Sequence, residues 1–210
     1  MESKGRLLKY DKGQIIQTTE DPTAFNLIQT GYIKRYLIKN DGSLSVDLIY
    51  GPDDVFSMTL IFTALYRRQR LDSNETYYYE ALTDATVYAL DVRELAEYAN
   101  KNPLVYKDLL SEAGKRMTSA TQGLENISMK NSYKRLAHQL AYYARRFGYR
   151  RAVGTEILTP FTHQDLADIL SLTRETVSTS MAKLKKEKLI KTGKKIIVPS
   201  PEKLEELAKR

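Results

Sequence analysis

Between Tyr106 and Ile127 seven apolar or small residues, Tyr106, Leu110, Ala113, Met117, Ala120, Leu124 and Ile127, succeed one another at steps of four and three. Steps that alternate in this way hold one narrow stripe in line on an α-helix and match a coiled-coil seam, with Ala113 and Ala120 small enough for two backbones to approach. A helix over 103–128, opened by Asn102-Pro103, would be about 39 Å long at roughly 1.5 Å per residue. A small domain of the same chain does not easily cover that length, so the stripe predicts a parallel homodimer. The other structure the stripe allows is an ordinary amphipathic helix packed on its own domain.

The stripe divides two dissimilar parts of a chain long enough, at 210 residues, for two domains. Residues 1–130 carry 16 Lys+Arg against 18 Asp+Glu, a net −2, whereas residues 131–210 carry 17 against 8, a net +9. Only the second part is suited to a polyanion, and nucleic acid is the commonest one.

The first part reads as β structure. Leu44, Val46, Leu48 and Tyr50 lie two apart and alternate with Ser43, Ser45 and Asp47, ahead of the break Gly51-Pro52-Asp53-Asp54. A second apolar run over 32–38 precedes it, and Asn40-Asp41-Gly42 predicts a hairpin joining the two. Runs over 76–82, with Tyr77, Tyr78 and Tyr79, and over 86–90 complete a small sandwich or barrel. From Asp91 the period becomes helical: Asp91 as N-cap, with Glu94 three residues on, predicts a short helix over 92–99. After the stripe and the break at Asn131-Ser132, Leu136, Ala137, Leu140, Ala141 and Ala144 mark another amphipathic helix that ends near Phe147-Gly148. His138 lies beside that apolar set as a surface or core-edge residue with no chemistry assigned.

Residues 161–198 are the most specific part. Two short helices joined by Ser171-Leu172-Thr173 make a helix-turn-helix. Thr162 caps the first with Asp165 at N3, and Thr173 caps the second. Leu166, Ala167 and Leu170 should face Leu172, Val177, Met181 and Leu184. Packing has no need of Arg174, Glu175 and Thr179 on the first turns of the second helix, where this motif enters the major groove. They are the base-reading candidates: an arginine can donate twice to guanine, and a glutamate can accept from cytosine N4. Thr162, His163, Gln164, Thr173 and Thr176 lie at helix starts suited to phosphate oxygens. A following hairpin carries Lys194 and Lys195 at its tip, a wing placed for phosphate.

Zero cysteines and only two histidines, His138 and His163, leave no thiolate zinc site, iron–sulfur cluster, cysteine nucleophile or three-histidine metal set. No Gly-rich phosphate loop, nucleophile elbow or spaced carboxylate pair appears either, so neither an enzyme nor a cofactor is expected. A cupin-like metal barrel fails because its β region would have no histidine. No apolar stretch reaches the roughly 18–20 residues of a membrane span, and the first residues lack a secretion signal, so a cytoplasmic protein with no membrane partner is expected.

On these motifs the 161–198 segment resembles the winged helix-turn-helix of the Crp/Fnr superfamily of bacterial transcription regulators, and Thr173-Arg174-Glu175-Thr176-Val177 is similar to the recognition-helix start of its cyclic-AMP-receptor branch. The order of parts agrees over nearly the whole chain. The resemblance implies an α+β protein: a β-roll like the cyclic-nucleotide-binding jelly roll over 1–100, a dimerisation helix over 101–130, and a DNA-binding domain over 131–210. It also implies that Arg174 and Glu175 contact bases of double-stranded DNA, while Thr179 stands where the family has a second base-reading arginine. In the β-roll, Ser57-Met58 replaces the Gly-Glu pair that holds a ribose, and Glu75-Thr76 replaces the phosphate-binding Arg-Ser or Arg-Thr. Cyclic-nucleotide control is therefore not expected; a different small-molecule effector would meet Phe56, Ser57, Met58, Glu75, Thr76, Tyr77 and Tyr79. RNA polymerase is a further partner such a regulator takes, at residues 149–156 or on the β-roll. The alternative is an architectural DNA-binding protein with little sequence preference.

Overall fold

A computed structural model describes residues 5–18, 24–57 and 76–209. Two compact units, Met1–Ser119 and Ala120–Arg210, divide the chain.

Among the described residues of the first unit, eight strands form two antiparallel four-stranded sheets. β1 (Arg6–Tyr10), β8 (Ala85–Leu90), β3 (Phe25–Thr30) and β6 (Val55–Phe56) make one; β2 (Ile15–Thr18), β7 (Tyr77–Ala81), β4 (Ile33–Ile38) and β5 (Leu44–Tyr50) make the other. The expected hairpin is β4–β5, with Ile38 opposite Leu44 and Ile33 opposite Tyr50. Its turn is held by Asp41, which accepts from the Ser43 N–H at 2.9 Å. Strict alternation is clearest in β8, where Ala85, Val87 and Ala89 are buried and their neighbours are not. Ile28, Ile33, Tyr50, Phe56, Tyr79 and Val87 form the core of the roll. Gly31 turns β3 into β4 at φ +85°, and a Cβ there would meet the Asp84 carbonyl oxygen at 2.3 Å, so only glycine fits.

Asp91 caps α1 (Val92–Lys101) by accepting from the Arg93 and Glu94 N–H groups. The following helix α2 (Val105–Ser128) packs Leu109 and Ala113 against Phe25, Val55, Leu90 and Leu95, closing one end of the roll.

The second unit is built on α3 (Ser132–Phe147), capped by Asn131, whose side chain accepts from the Tyr133 and Lys134 N–H groups. Leu136, Ala137, Leu140, Ala141 and Ala144 are at most 2% exposed, the apolar set expected from spacing. Helices α4 (His163–Leu170) and α5 (Arg174–Lys186) form the helix-turn-helix. A sheet in the order β11 (Lys191–Thr192), β12 (Ile196–Val198), β10 (Gly154–Ile157), β9 (Gly148–Arg151) carries the wing, and α6 (Pro201–Lys209) buries Leu204 and Ala208. Among the described residues no helix is long and apolar enough to cross a membrane.

Candidate nucleic-acid interface

The helix-turn-helix is held by two caps and one left-handed residue. The Thr162 hydroxyl accepts from the Asp165 N–H at 3.1 Å, and the Asp165 carboxylate accepts from the Thr162 N–H at 2.7 Å, a reciprocal capping box. α4 ends at Ser171, at φ 49° and ψ 51°, and the Leu172 N–H bonds back to the Ala167 carbonyl at 3.0 Å. Thr173 then caps α5 by accepting from the Thr176 N–H at 3.2 Å. Leu166, Ala167, Leu170, Val177, Met181 and Leu184 are buried, while Leu172 is only partly so. Leu166 and Ala167, Val177 and Leu184 are each 0% exposed, so apolar burial fixes the angle between the helices.

What that packing leaves outside is the first face of α5. Arg174, Glu175 and Thr179 are exposed, and among the described residues neither Arg174 nor Glu175 has a hydrogen-bond or ion-pair partner. Of the phosphate candidates, Thr162, Thr173 and Thr176 spend their hydroxyls on the caps: Thr173 and Thr176 hydroxyls lie 2.9 Å apart, and Thr162 donates to Asp165 at 2.6 Å. Gln164 is exposed and donates to Asp168 at 2.7 Å. His163 is half-buried, its Nδ1 2.8 Å from the Ser178 hydroxyl, so its ring joins α4 to α5.

The wing separates its two lysines. Lys194 is exposed at the tip, where the Gly193 N–H bonds the Lys195 carbonyl at 3.2 Å. Lys195 lies 2.5 Å from Glu156 on β10, and Arg151 on β9 reaches the same carboxylate at 3.0 Å. These two cations, Lys195 first, hold the Glu156 carboxyl below its ordinary range. Sequence reasoning missed the hairpin that supplies Glu156 and Arg151.

Along α2, Leu110, Met117, Leu124 and Ile127 are 70 to 74% exposed, and Ala120 is exposed. Tyr106 is at the edge of that set, its hydroxyl donating to Asn100 at 2.7 Å, and Ala113 is turned partly into its own unit. In the β-roll, Phe56 stacks on Tyr79 at 5.1 Å inside the core, and Ser57, buried at φ 66°, accepts from the Gln17 amide. Thr76 and Tyr77 are half-buried, Tyr77 beneath the Arg35 guanidinium at 4.7 Å. Met58 and Glu75 lie outside the described residues. The five described residues of the set therefore divide between core packing and the sheet surface. Arg116 was not singled out by sequence reasoning: it enters the roll from α2, donates to the Val55 carbonyl at 2.7 Å and lies 4.2 Å over the Tyr50 ring. Its position among polar neighbours on α2 gave no signal.

Residues 134–207 match the family model of the Crp-like helix-turn-helix domain. Over most of the chain, the sequence is similar to the nitrogen fixation regulation protein FixK of Rhizobium meliloti, 29% identical over 182 residues that cover 86% of this chain and 76% of that one. The chain carries a Crp-like helix-turn-helix domain and is similar over most of its length to regulators of the Crp/Fnr type. It is also similar to the electron transport regulator A of Shewanella oneidensis, 26% identical over 94% of this chain and 76% of that one. The fold is that of FixK2 from Bradyrhizobium japonicum, with a TM-score of 0.78, 22% identity and coverage of 97% of this regulator and 96% of that chain. Both curated relatives are regulators by name, and the β-roll, long helix and winged domain follow the fold of FixK2.

Proposed function

We propose that this regulator is a homodimer that reads a palindromic DNA site, placing its two recognition helices in successive major grooves about 34 Å apart. Residues 101–130 serve as the dimerisation segment, and the β-roll over 1–100 is not under cyclic-nucleotide control, since the carboxylate of Glu75 would repel a phosphate. The observation that carries the reading is the exposed pair Arg174 and Glu175 on the first turn of α5, without a partner among the described residues and beyond a cap that already satisfies the helix start. Arg174 reads guanine, Glu175 accepts from cytosine, and Thr179 supplies the remaining contact on the same face. Lys194 and the helix-start residues Thr162, His163, Gln164, Thr173 and Thr176 line the phosphates. RNA polymerase is met at residues 149–156, where Tyr149 and Val153 are about half exposed. Any effector of the β-roll is a small molecule other than a cyclic nucleotide.

The test is Arg174→Ala, measured on the selected site and on random duplex. A loss of about 1–3 kcal/mol confined to the selected site, with relaxed base choice at the contacted position, is expected. An equal loss on both DNAs would contradict the assignment and favour a binder without sequence preference.

A further inference from the structure

The end of α2 has one exposed face and one buried face. Leu124 and Ile127 are 70 and 73% exposed, whereas Asn126 between them is 4% exposed. Asn126 donates its side-chain amide to the Gln139 Oε1 on α3 at 2.5 Å, and next to this pair His138 Nε2 lies 3.4 Å from Glu125. Gln139, itself 8% exposed, also hydrogen-bonds the hydroxyl of Tyr143 one turn further along α3. The Tyr143 ring stacks on Phe161 at 4.6 Å, and Phe161 immediately precedes the N-cap of α4. A single amide thus connects the turn bearing Leu124 and Ile127 to the start of the helix-turn-helix.

Only residues 129–131 join α2 to α3. A three-residue connection limits distance but leaves rotation free; a buried, directional hydrogen bond does not. Such bonds contribute little net stability, because the water they displace bonded equally well, yet a buried polar pair is satisfied in few geometries and so selects one. A single buried asparagine fixing helix register is the best-attested case. α3 in turn carries α5 through Tyr133, whose hydroxyl bonds Glu187 at 2.5 Å and whose ring lies under Lys183.

Resting on the dimeric reading above, we infer that Gln139, paired with Asn126, is a positioning residue that sets the half-site spacing the dimer accepts. One base pair more or less turns the second half-site by about 34° around the duplex, at roughly 10.5 base pairs per turn. A dimer whose winged domains are fixed to the seam pays for that rotation; one whose α2–α3 angle is free does not.

The experiment compares the full-length protein with Gln139→Met, which keeps length and removes the acceptor, and Gln139→Glu, which keeps an acceptor for Asn126. Each is titrated on palindromes with the selected spacing and with one base pair added or removed, on a duplex with one half-site, and by sedimentation for dimerisation. The unsubstituted protein should prefer its own spacing by about tenfold, and Gln139→Met should reduce that to about threefold or less, an effect on the scale of one hydrogen bond. Half-site binding and dimerisation should be unchanged, and Gln139→Glu should retain most of the preference. Asn126→Leu provides the same comparison should Gln139→Met not fold. An undiminished preference in Gln139→Met, with dimer and half-site binding intact, overturns the inference alone, as does an equal loss in Gln139→Glu. Absence of a dimer or of any spacing preference in the unsubstituted protein overturns the dimeric reading and the inference with it.

Discussion

Lys194 and Lys195 adjoin in sequence but face different partners. Lys194 projects from the wing tip, while Lys195 is held by a Glu156 carboxylate that also bonds Arg151. A phosphate brought to Lys195 would meet that carboxylate too, so the two lysines should not contribute equally. Lys194→Ala is expected to weaken binding to all sequences alike and to reduce the slope of log affinity against log salt by about 0.9, the worth of one phosphate contact. Lys195→Ala should reduce it less, and Glu156→Gln should strengthen binding to random duplex and steepen the slope. Salt titrations of the three variants check this, and identical slopes for Lys194→Ala and the unsubstituted protein would remove the wing from the interface. The two lysines were visible in the sequence as a basic tip. Their inequality was not, because it depends on a glutamate about 40 positions away that only strand pairing brings near.

At the scale of elements, α2 presents Leu110, Met117, Leu124 and Ile127 at more than two-thirds exposure, and a second copy is the partner that such a repeating stripe suits. Leu124→Asp should convert the proposed dimer to monomer in sedimentation equilibrium while leaving the monomer folded, since the side chain is 70% exposed; an unshifted mass would exclude this stripe as the seam. In the sheet of β4 and β7, burial and a hydrogen bond to Glu80 push the Tyr36 hydroxyl up to about 12. An unfolded tyrosine titrates near 10, so the stability this group contributes is intact below about pH 10 and is lost as pH rises from about 10 through 12. Tyr36→Phe should therefore lower the urea midpoint at pH 8 yet show a smaller fall between pH 8 and pH 11 than the unsubstituted protein. An equal fall would place the alkaline sensitivity elsewhere. Elements with strong periodicity are legible in the sequence: the β4–β5 hairpin, the stripe of α2, the apolar face of α3 and both capped helices of the helix-turn-helix. The β9–β10 hairpin is not, because Gly148–Arg151 and Gly154–Ile157 are four-residue strands with few apolar side chains, too short to display a period of two. α6 carries a sequence signal of its own, with Pro201 at its first position and Leu204 and Ala208 four apart on its buried face.

For the whole molecule, the charge division between −2 and +9 matches the unit that carries the helix-turn-helix, and the interface there was legible because caps, turn and apolar spacing all agree on one local structure. The β-roll was less legible as a site. Phe56 and Tyr79 look alike in sequence whether they line a cavity or fill a core, and only packing places them in the core. Selection of bound sequences from a pool of random duplexes, using the full-length protein, tests the central claim most directly. A twofold-symmetric motif with G·C pairs in each half-site and centres one helical turn apart is the predicted result. Recovery of sequences no different from the starting pool, or of a single unpaired half-site, would contradict it.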